Sequence, residues 1–243
     1  MSACAVDPGE LAVSALMHYN MRLKHQVRHA QAWSDAGVGV TPSVDGEADI
    51  HIISGPHFAL DRWRNHPRVI MIDRAHWGDD NGHGFVRMGW LQKDGSLKYA
   101  RGTSKRDRPA CLPWKTREQS CLILADYGQE CNGIVAQAYD RFGHVRVRRH
   151  PAEGTPSPNV SLESELMLTD VVVGHSSTAL VEAIVLGVPV ICTDPRNVVA
   201  PVSVTGGELY RGDREAWLHE ISWHQFNHDE FGMALRVLCA QAD

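Results

Sequence analysis

The segment 170–201 constrains the fold more than any other part of this chain. Its sequence, DVVVGHSSTALVEAIVLGVPVICTDPRNVVAP, contains two short apolar runs separated by a Gly-His-Ser-Ser-Thr turn and a stretch with helical spacing. Short apolar runs bounded by turn residues are typical of buried strands. Strand, turn, helix and second strand form the unit from which parallel sheets are built. The segment therefore predicts a parallel β-sheet covered by helices.

The turn within this segment carries groups that suit a bound anion. A glycine lets the backbone approach a ligand closely, and three successive hydroxyls stand at the start of the predicted helix. Capping of the helix explains a Ser or Thr here equally well, although one hydroxyl is sufficient for a cap. A Glu early in the helix either contacts a hydroxylated group of the ligand or stabilises the helix through its favourable interaction with the helix dipole. The candidate ligand contacts are Gly174, His175, Ser176, Ser177, Thr178 and Glu182.

Strand-like and helix-like segments alternate on both sides of a basic, proline-containing stretch. Residues 98–117 hold seven Lys or Arg side chains against one Asp and show no periodicity. This change in composition predicts a boundary between an N-terminal domain at 1–115 and a C-terminal domain at 116–243 that includes the closing helices. Each domain is expected to be a small Rossmann-like α/β unit, because the alternation is that of a parallel sheet wound by helices.

Ligands of open parallel sheets bind beyond the carboxyl ends of the strands. That rule nominates the loops 18–20, 54–57, 73–80, 126–129, 149–151 and 174–178. Arg149 and His150 suit a diphosphate, or they are simply a solvated strand end. Asp73, with His76 three residues later, offers a carboxylate and an imidazole for general acid–base chemistry, or the carboxylate forms a turn.

Composition narrows the classes of function. The formal charge of -5 gives no overall basic field for nucleic acid or membrane, and no apolar stretch is long enough to span a bilayer. Six cysteines without a C-x-x-C pair favour a reducing cytoplasm, and the first residues do not resemble a signal peptide. Fourteen histidines show no metal-binding spacing, and neither GxGxxG nor a Walker loop is found. We expect a cytoplasmic protein without a metal site.

Three segments resemble one family of enzymes. DVVVGHSSTALVEAIVLGVPVICTD resembles the donor-side signature of GT-B glycosyltransferases and their relatives in capsule and teichoic-acid synthesis. VRVRRHP resembles the Arg-x-His-Pro strand end of the same group, and REAWLHEISWHQFNHDEFG is similar to the tail of phage-encoded glycosyltransferases. Together these segments lie within 145–232, and the first half of the chain carries no such motif.

The resemblance implies a GT-B-like fold, with two small Rossmann-like domains whose parallel sheets face a central cleft. It also implies transfer of a sugar from a nucleotide-sugar, with a UDP-sugar expected, to a hydroxyl acceptor, with no metal or other cofactor required. The hydroxyl turn and Glu182 would hold the donor, with Arg149 and His150 at its diphosphate. Asp73 and His76 would be the catalytic residues.

A small acceptor domain suits an acceptor that has a large surface of its own. Double-stranded DNA carrying hydroxymethylated pyrimidines is such an acceptor, met in the host cytoplasm if the chain is phage-encoded. The acceptor-binding residues would then be His18, Arg22 at the phosphates and Trp77 on an extruded base, although Trp77 also suits ordinary packing and the acidic net charge counts against DNA. Two alternatives remain open: a nucleotide-sugar epimerase, and a non-catalytic subunit that binds a nucleotide-sugar.

Overall fold

The protein has a mixed α/β fold with two sheets, one that combines parallel and antiparallel pairs and one that is fully parallel. A computed structural model describes residues 14–19, 24–43, 46–54, 63, 65–77, 86–102, 109–126, 132–150 and 160–241. The predicted α/β class with parallel sheets is confirmed. Contacts divide the chain into two compact units, one from Met1–Arg106 with Ser222–Asp243 and the other from Asp107–Ile221. None of the described helices combines the length and hydrophobicity that crossing a bilayer requires.

The first unit is built on a sheet of mixed direction. Its strands are β1 (Ala15–His18), β2 (Gly39–Thr41), β3 (Ile50–Ser54), β4 (Val69–Arg74), β5 (Val86–Leu91), β6 (Leu97–Tyr99) and β11 (Gln225–Phe226). The order β2-β1-β3-β4 is parallel throughout, whereas β5 runs antiparallel to β4 and pairs with both β6 and β11. The helices of this unit are α1 (Lys24–Asp35) and α6 (Phe231–Ala240), with 3-10 turns at Ser222–His224 and His228–Glu230.

The closing helix packs on the first unit, although the composition of the chain predicts a place for it in the C-terminal domain. Helix α6 buries Phe231, Ala234, Leu235 and Leu238, which recur at the spacing of one helix face. This face joins the core that α1 and one side of the sheet form around Trp33. The predicted boundary at 115 therefore differs from the observed division, because burial of this apolar stripe draws the chain back to the first sheet.

The second unit contains a fully parallel sheet. Its strands, β7 (Ser120–Leu124), β8 (His144–Arg148), β9 (Val171–Gly174) and β10 (Val190–Cys192), follow the order β8-β7-β9-β10. The helices are α2 (Asn132–Arg141), α3 (Leu162–Met167), α4 (Ala179–Val185) and α5 (Glu215–Ile221), with a 3-10 turn at Ala200–Val202. Residues 171–174 are all buried, as expected for a strand that is covered on both faces.

The order of the strands gives each sheet a switch point. In the first unit β1 lies between β2 and β3, and in the second β7 lies between β8 and β9. In each sheet the second strand therefore lies on one side of the first strand, and the third strand lies on its other side. At such a point the loops that follow two adjacent strands separate and form a crevice at their carboxyl ends. The crevice beyond β7 and β9 is where the Gly174 turn begins.

Helix α4 ends in a glycine cap that positions the next strand. Gly187 has a φ of 74°. Its N–H donates to the carbonyl of Ile184, and the N–H of Val188 donates to that of Ala183, which is the Schellman arrangement. A Cβ at Gly187 would lie 2.1 Å from the carbonyl oxygen of Pro113. Both the backbone angle and this close approach therefore require glycine.

Gly187→Ala should lower the free energy of unfolding by about 3 kcal/mol, since it combines left-handed strain with overpacking. Gly207→Ala is the matched control, because Gly207 has a φ of 79° but a Cβ added there would meet no atom within 4 Å. That variant should lose only about 1 kcal/mol. Urea denaturation of the full chain, followed by circular dichroism, measures both. Equal losses would show that the Pro113 contact has no energetic role.

Candidate functional site

The loops after β7 and β9 are joined at the switch point of the second sheet. Asp126 follows β7, and its Oδ2 accepts hydrogen bonds from the backbone N–H of Ser176 at 2.7 Å and from the Ser176 Oγ at 2.9 Å. Asp126 is buried, whereas Ser176 is exposed. The buried carboxylate therefore fixes the conformation of the turn, and the hydroxyl of Ser176 is used in the hydrogen bond to Asp126.

The loop after β10 holds the other side of the same turn. His175 Nδ1 lies 2.9 Å from Thr193 Oγ1, and Asn197 Nδ2 donates to the carbonyl of His175 at 3.0 Å. His175 Nε2 lies 3.9 Å from Asp194 Oδ2. The residues at 175 and 176 are thus held by the loops that follow β7 and β10, the two neighbours of β9. The turn is therefore preorganised at the carboxyl edge of the sheet.

A carboxylate and a guanidinium form a close pair beside this turn. Asp194 Oδ1 accepts from the Arg196 backbone N–H at 2.9 Å and from its Nε at 2.8 Å, and Oδ2 accepts from Nη2 at 3.1 Å. Burial by itself raises the pKa of the Asp194 carboxyl, but the Arg196 bonds and the nearby His175 outweigh it, and the pKa lies below the ordinary 3.8. The Arg196 side chain is 44% exposed.

The remaining turn residues have different roles. Ser177 Oγ accepts from the backbone N–H of Ala179 at 3.3 Å, a long local bond, and the half-buried Thr178 makes no side-chain cap to α4. A Cβ at Gly174 would lie 2.8 Å from Leu180 Cδ2, so packing accounts for this glycine without a ligand. Glu182 is exposed on α4. Of the predicted hydroxyls, those of Ser177 and Thr178 are therefore the better placed to meet a ligand.

Arg149 and His150 follow β8, which is not adjacent to β9. Because β7 lies between these strands, Arg149 starts two strand spacings, about 10 Å, from the Gly174 turn. The loop after the neighbouring strand β10 carries a cation, Arg196, which sequence reasoning missed together with Asp194. The rule that ligands bind beyond the carboxyl ends of strands also points to this loop, because the loop follows the apolar run at 188–193.

The two predicted catalytic residues lie at the carboxyl end of β4 in the first unit. The carboxylate of Asp73 forms an ion pair with Arg87, which stands directly opposite on β5. His76 is 2% exposed, and its backbone N–H donates to Gln225 Oε1 at 2.8 Å. Burial lowers the pKa of the His76 imidazole well below the ordinary 6.5, and the positive charges of Arg87 and His224 lower it further. Sequence reasoning missed Arg87, because its position opposite Asp73 depends on strand register.

The predicted acceptor contacts are dispersed. His18 is completely buried: its Nδ1 lies 2.7 Å from the carbonyl of Ser43, and its Nε2 lies 2.9 Å from His51 Nδ1. Both ring nitrogens of His18 therefore have partners inside the protein. Trp77 is half-buried, and its backbone N–H donates to Gln225 Oε1 at 3.3 Å. Arg22 lies outside the described residues.

The two buried thiols of the second sheet, Cys121 and Cys192, offer no nucleophile. Burial raises the pKa of Cys121 to about 12 and that of Cys192 to about 11, so neither thiol supplies a nucleophilic thiolate near neutral pH. Within the described ranges no three His, Cys, Asp or Glu side chains are grouped so as to hold a metal ion.

Comparison of this chain with models of protein families and with curated proteins gives no match.

Arg196→Gln should raise the pKa of Asp194 above its present value, because the effect of burial would remain while two charge-assisted bonds are lost. A carboxyl with a lowered folded-state pKa adds stability above its unfolded-state pKa, and this contribution is lost as the pH falls through the folded value. The variant should therefore lose stability at neutral pH and show a weaker decline below about pH 4.

Carboxyl-carbon NMR titration measures the pKa of Asp194 directly. Arg149→Gln is the matched control, since it removes the same charge at the opposite edge of the sheet. This control should leave the pKa of Asp194 unchanged. An Asp194 carboxyl that titrates identically in Arg196→Gln and the wild type would contradict the assigned pairing.

Proposed function

We propose that this protein is a glycosyltransferase that moves a sugar from a nucleotide-sugar, expected to be a UDP-sugar, to a hydroxyl acceptor. The observation that carries the proposal is the preorganised turn at the switch point of the second sheet, tied to Asp126 and flanked by Arg196. Sheets with this order bind phosphate-bearing ligands beyond the strands that flank the switch point. A nucleoside diphosphate is such a ligand.

Each polar group of this edge has a proposed role toward the donor. The hydroxyls of Ser177 and Thr178 donate to phosphate oxygens, and Arg196 on the neighbouring loop supplies the positive charge. Asp126 acts through Ser176 by fixing the turn. Arg149 and His150 lie farther along the carboxyl edge, and their proposed role is to contact a more distant part of the donor.

The chemistry asks the protein to stabilise the departing diphosphate. Sugar transfer passes through an oxocarbenium-like state, and negative charge grows on the leaving phosphate. Preorganised hydrogen-bond donors stabilise this charge without having to reorganise. Such electrostatic stabilisation is the largest contribution to the rate enhancement of many enzymes. Such a mechanism requires no cofactor besides the nucleotide-sugar itself. A GT-B-type arrangement of the two units and a hydroxymethylated pyrimidine in double-stranded DNA as acceptor, with Trp77 at the base, complete the proposal on the resemblance alone.

A second candidate is a subunit that binds a nucleotide-sugar without transferring it. The pairing of Asp73 with Arg87 favours this candidate, because the carboxylate is already engaged in a contact within the protein. The two candidates share the donor site and differ only in turnover.

Titration calorimetry with UDP tests the donor site. The double variant Ser177→Ala with Thr178→Val should weaken binding at least about tenfold, because a hydrogen bond to a charged group contributes about 1.5–3 kcal/mol. Ser120→Ala is the control: Ser120 Oγ accepts from the backbone N–H of Asp170 at the amino edge of the same sheet. This variant should bind UDP as the wild type does. Absence of binding for every nucleoside diphosphate would contradict both candidates.

Release of UDP separates the two candidates. The wild type should release UDP from one of a panel of UDP-sugars when hydroxymethylcytosine or hydroxymethyluracil DNA is added, and mass spectrometry of the nucleosides should show the added sugar. Tight binding of UDP without release, over DNA, saccharide and lipid-linked acceptors, would favour the subunit. Arg196→Gln should reduce the rate of release because the departing diphosphate loses a cation.

A further inference from the structure

A row of polar side chains crosses the first sheet where parallel pairing gives way to antiparallel pairing. Asp73 on β4 is in register with Arg87 on β5, and Arg87 is in register with Gln225 on β11. Residues directly opposite one another in neighbouring strands project from the same face of a sheet. Arg87 is 6% exposed, so its charge is balanced within the protein by the Asp73 carboxylate.

The same guanidinium reaches His76. Arg87 Nη1 lies 3.4 Å from His76 Nδ1. A guanidinium nitrogen donates hydrogen bonds and never accepts them, so Nδ1 is the accepting nitrogen of the ring. A neutral imidazole that accepts at Nδ1 carries its proton on Nε2. The ion pair therefore selects one of the two tautomers.

Further contacts keep His76 in place and uncharged. Gln225 Oε1 accepts from its backbone N–H, and the Tyr99 ring stands edge-on at 6.1 Å between centroids. The charged and titratable described groups that face the imidazole are Arg87, Asp73, Tyr99 and His224. Burial is the main cause of the low pKa of His76, and burial also raises the pKa of Tyr99 above 10.0. Near neutral pH these conditions favour an uncharged ring.

One polar atom of this ring is left for another group. His76 Nε2 is buried and has no hydrogen-bond partner among the described residues. Leaving a buried hydrogen-bond donor without a partner costs about 1–3 kcal/mol, so such a donor calls for an explanation, of which a bound ligand is one. With its proton fixed on Nε2, the ring offers a donor and needs an oxygen acceptor.

We infer that Arg87, anchored by Asp73, is a positioning residue that holds His76 as a neutral imidazole with its proton on Nε2, so that His76 offers a hydrogen bond to an uncharged oxygen of the acceptor substrate instead of taking its proton. The identity of that oxygen, a hydroxyl or a carbonyl, rests on the proposed function. The tautomer and the role of Arg87 do not. The sequence predicts acid–base chemistry at Asp73 and His76, whereas in this arrangement neither side chain acts as the base.

Long-range nitrogen–proton NMR on the full-length, nitrogen-labelled protein tests this inference without any substrate. The signals of His76 are identified by their loss in His76→Gln. The wild type should show a single tautomer, protonated at Nε2, with no titration between about pH 5 and 8. A proton on Nδ1, averaging between tautomers, or titration near the ordinary pKa would overturn the inference.

Arg87→Lys tests the positioning role, because it keeps a positive charge beside Asp73 but removes the planar fork that reaches His76. The His76 signals should then average between the two tautomers. Arg101→Lys is the matched control: Arg101 lies over the Trp223 ring at 5.0 Å in the same unit, and its replacement should leave His76 unchanged. An Arg87→Lys protein with the wild-type tautomer would overturn the role of Arg87.

Asp73→Asn provides a second variant if Arg87→Lys does not fold. Loss of the anchor should release Arg87 and produce the same averaging, and an unchanged tautomer would again overturn the inference. These outcomes are independent of the UDP titration, whose residues lie in the second unit. Failure of UDP binding with the predicted tautomer intact would remove the proposed function and leave the positioning role standing.

Discussion

Parallel strand pairing is the constraint on which the rest of this structure depends. Parallel strands require crossovers, and the crossovers cover both faces of a sheet, so strand interiors accept mainly apolar side chains. Leu122, Val172 and Val190 are accordingly fully buried in the second sheet. In β7, β9 and β10 the polar side chains therefore lie at or beyond the strand ends. At the carboxyl ends of β7, β9 and β10 they bond one another and give a fixed edge with hydroxyls, two carboxylates and a guanidinium.

The first sheet departs from this pattern, and its polar row is the consequence. After β4 the chain returns antiparallel as β5, and β11 joins the other side of β5 from the end of the chain. A buried guanidinium at this position is tolerated only when it is paired, which Asp73 provides. The carboxylate is therefore committed to structure. The donor that we propose for a ligand at this edge is His76 Nε2, which has no hydrogen-bond partner among the described residues.

The two edges suit different ligands. The turn of the second unit carries exposed or half-buried hydroxyls and the exposed Arg196, and such groups attract a charged ligand from water. In the first unit His76 and Arg87 are buried, and the Asp73 carboxylate balances the charge of Arg87, which favours an uncharged oxygen as the partner of His76. This difference agrees with the proposed division between a diphosphate donor and a hydroxyl acceptor.

Locally encoded features could be predicted from the sequence. The strand, hydroxyl turn, helix and second strand within 170–193 were predicted, because apolar runs, Ser and Thr near a helix start and Gly187 at its end act over a few residues. The same patterns determined the α/β class and the carboxyl-edge loops.

Only the tertiary structure decided that β7 separates Arg149 from the turn, that Asp126 meets Ser176, that His18 is interior and that the closing helix joins the first unit. These facts depend on strand order and register between distant segments, such as the 149 residues that separate His76 from Gln225. A local pattern carries no information about which distant segment will lie beside it, because pairing and burial are decided by the packing of the whole core.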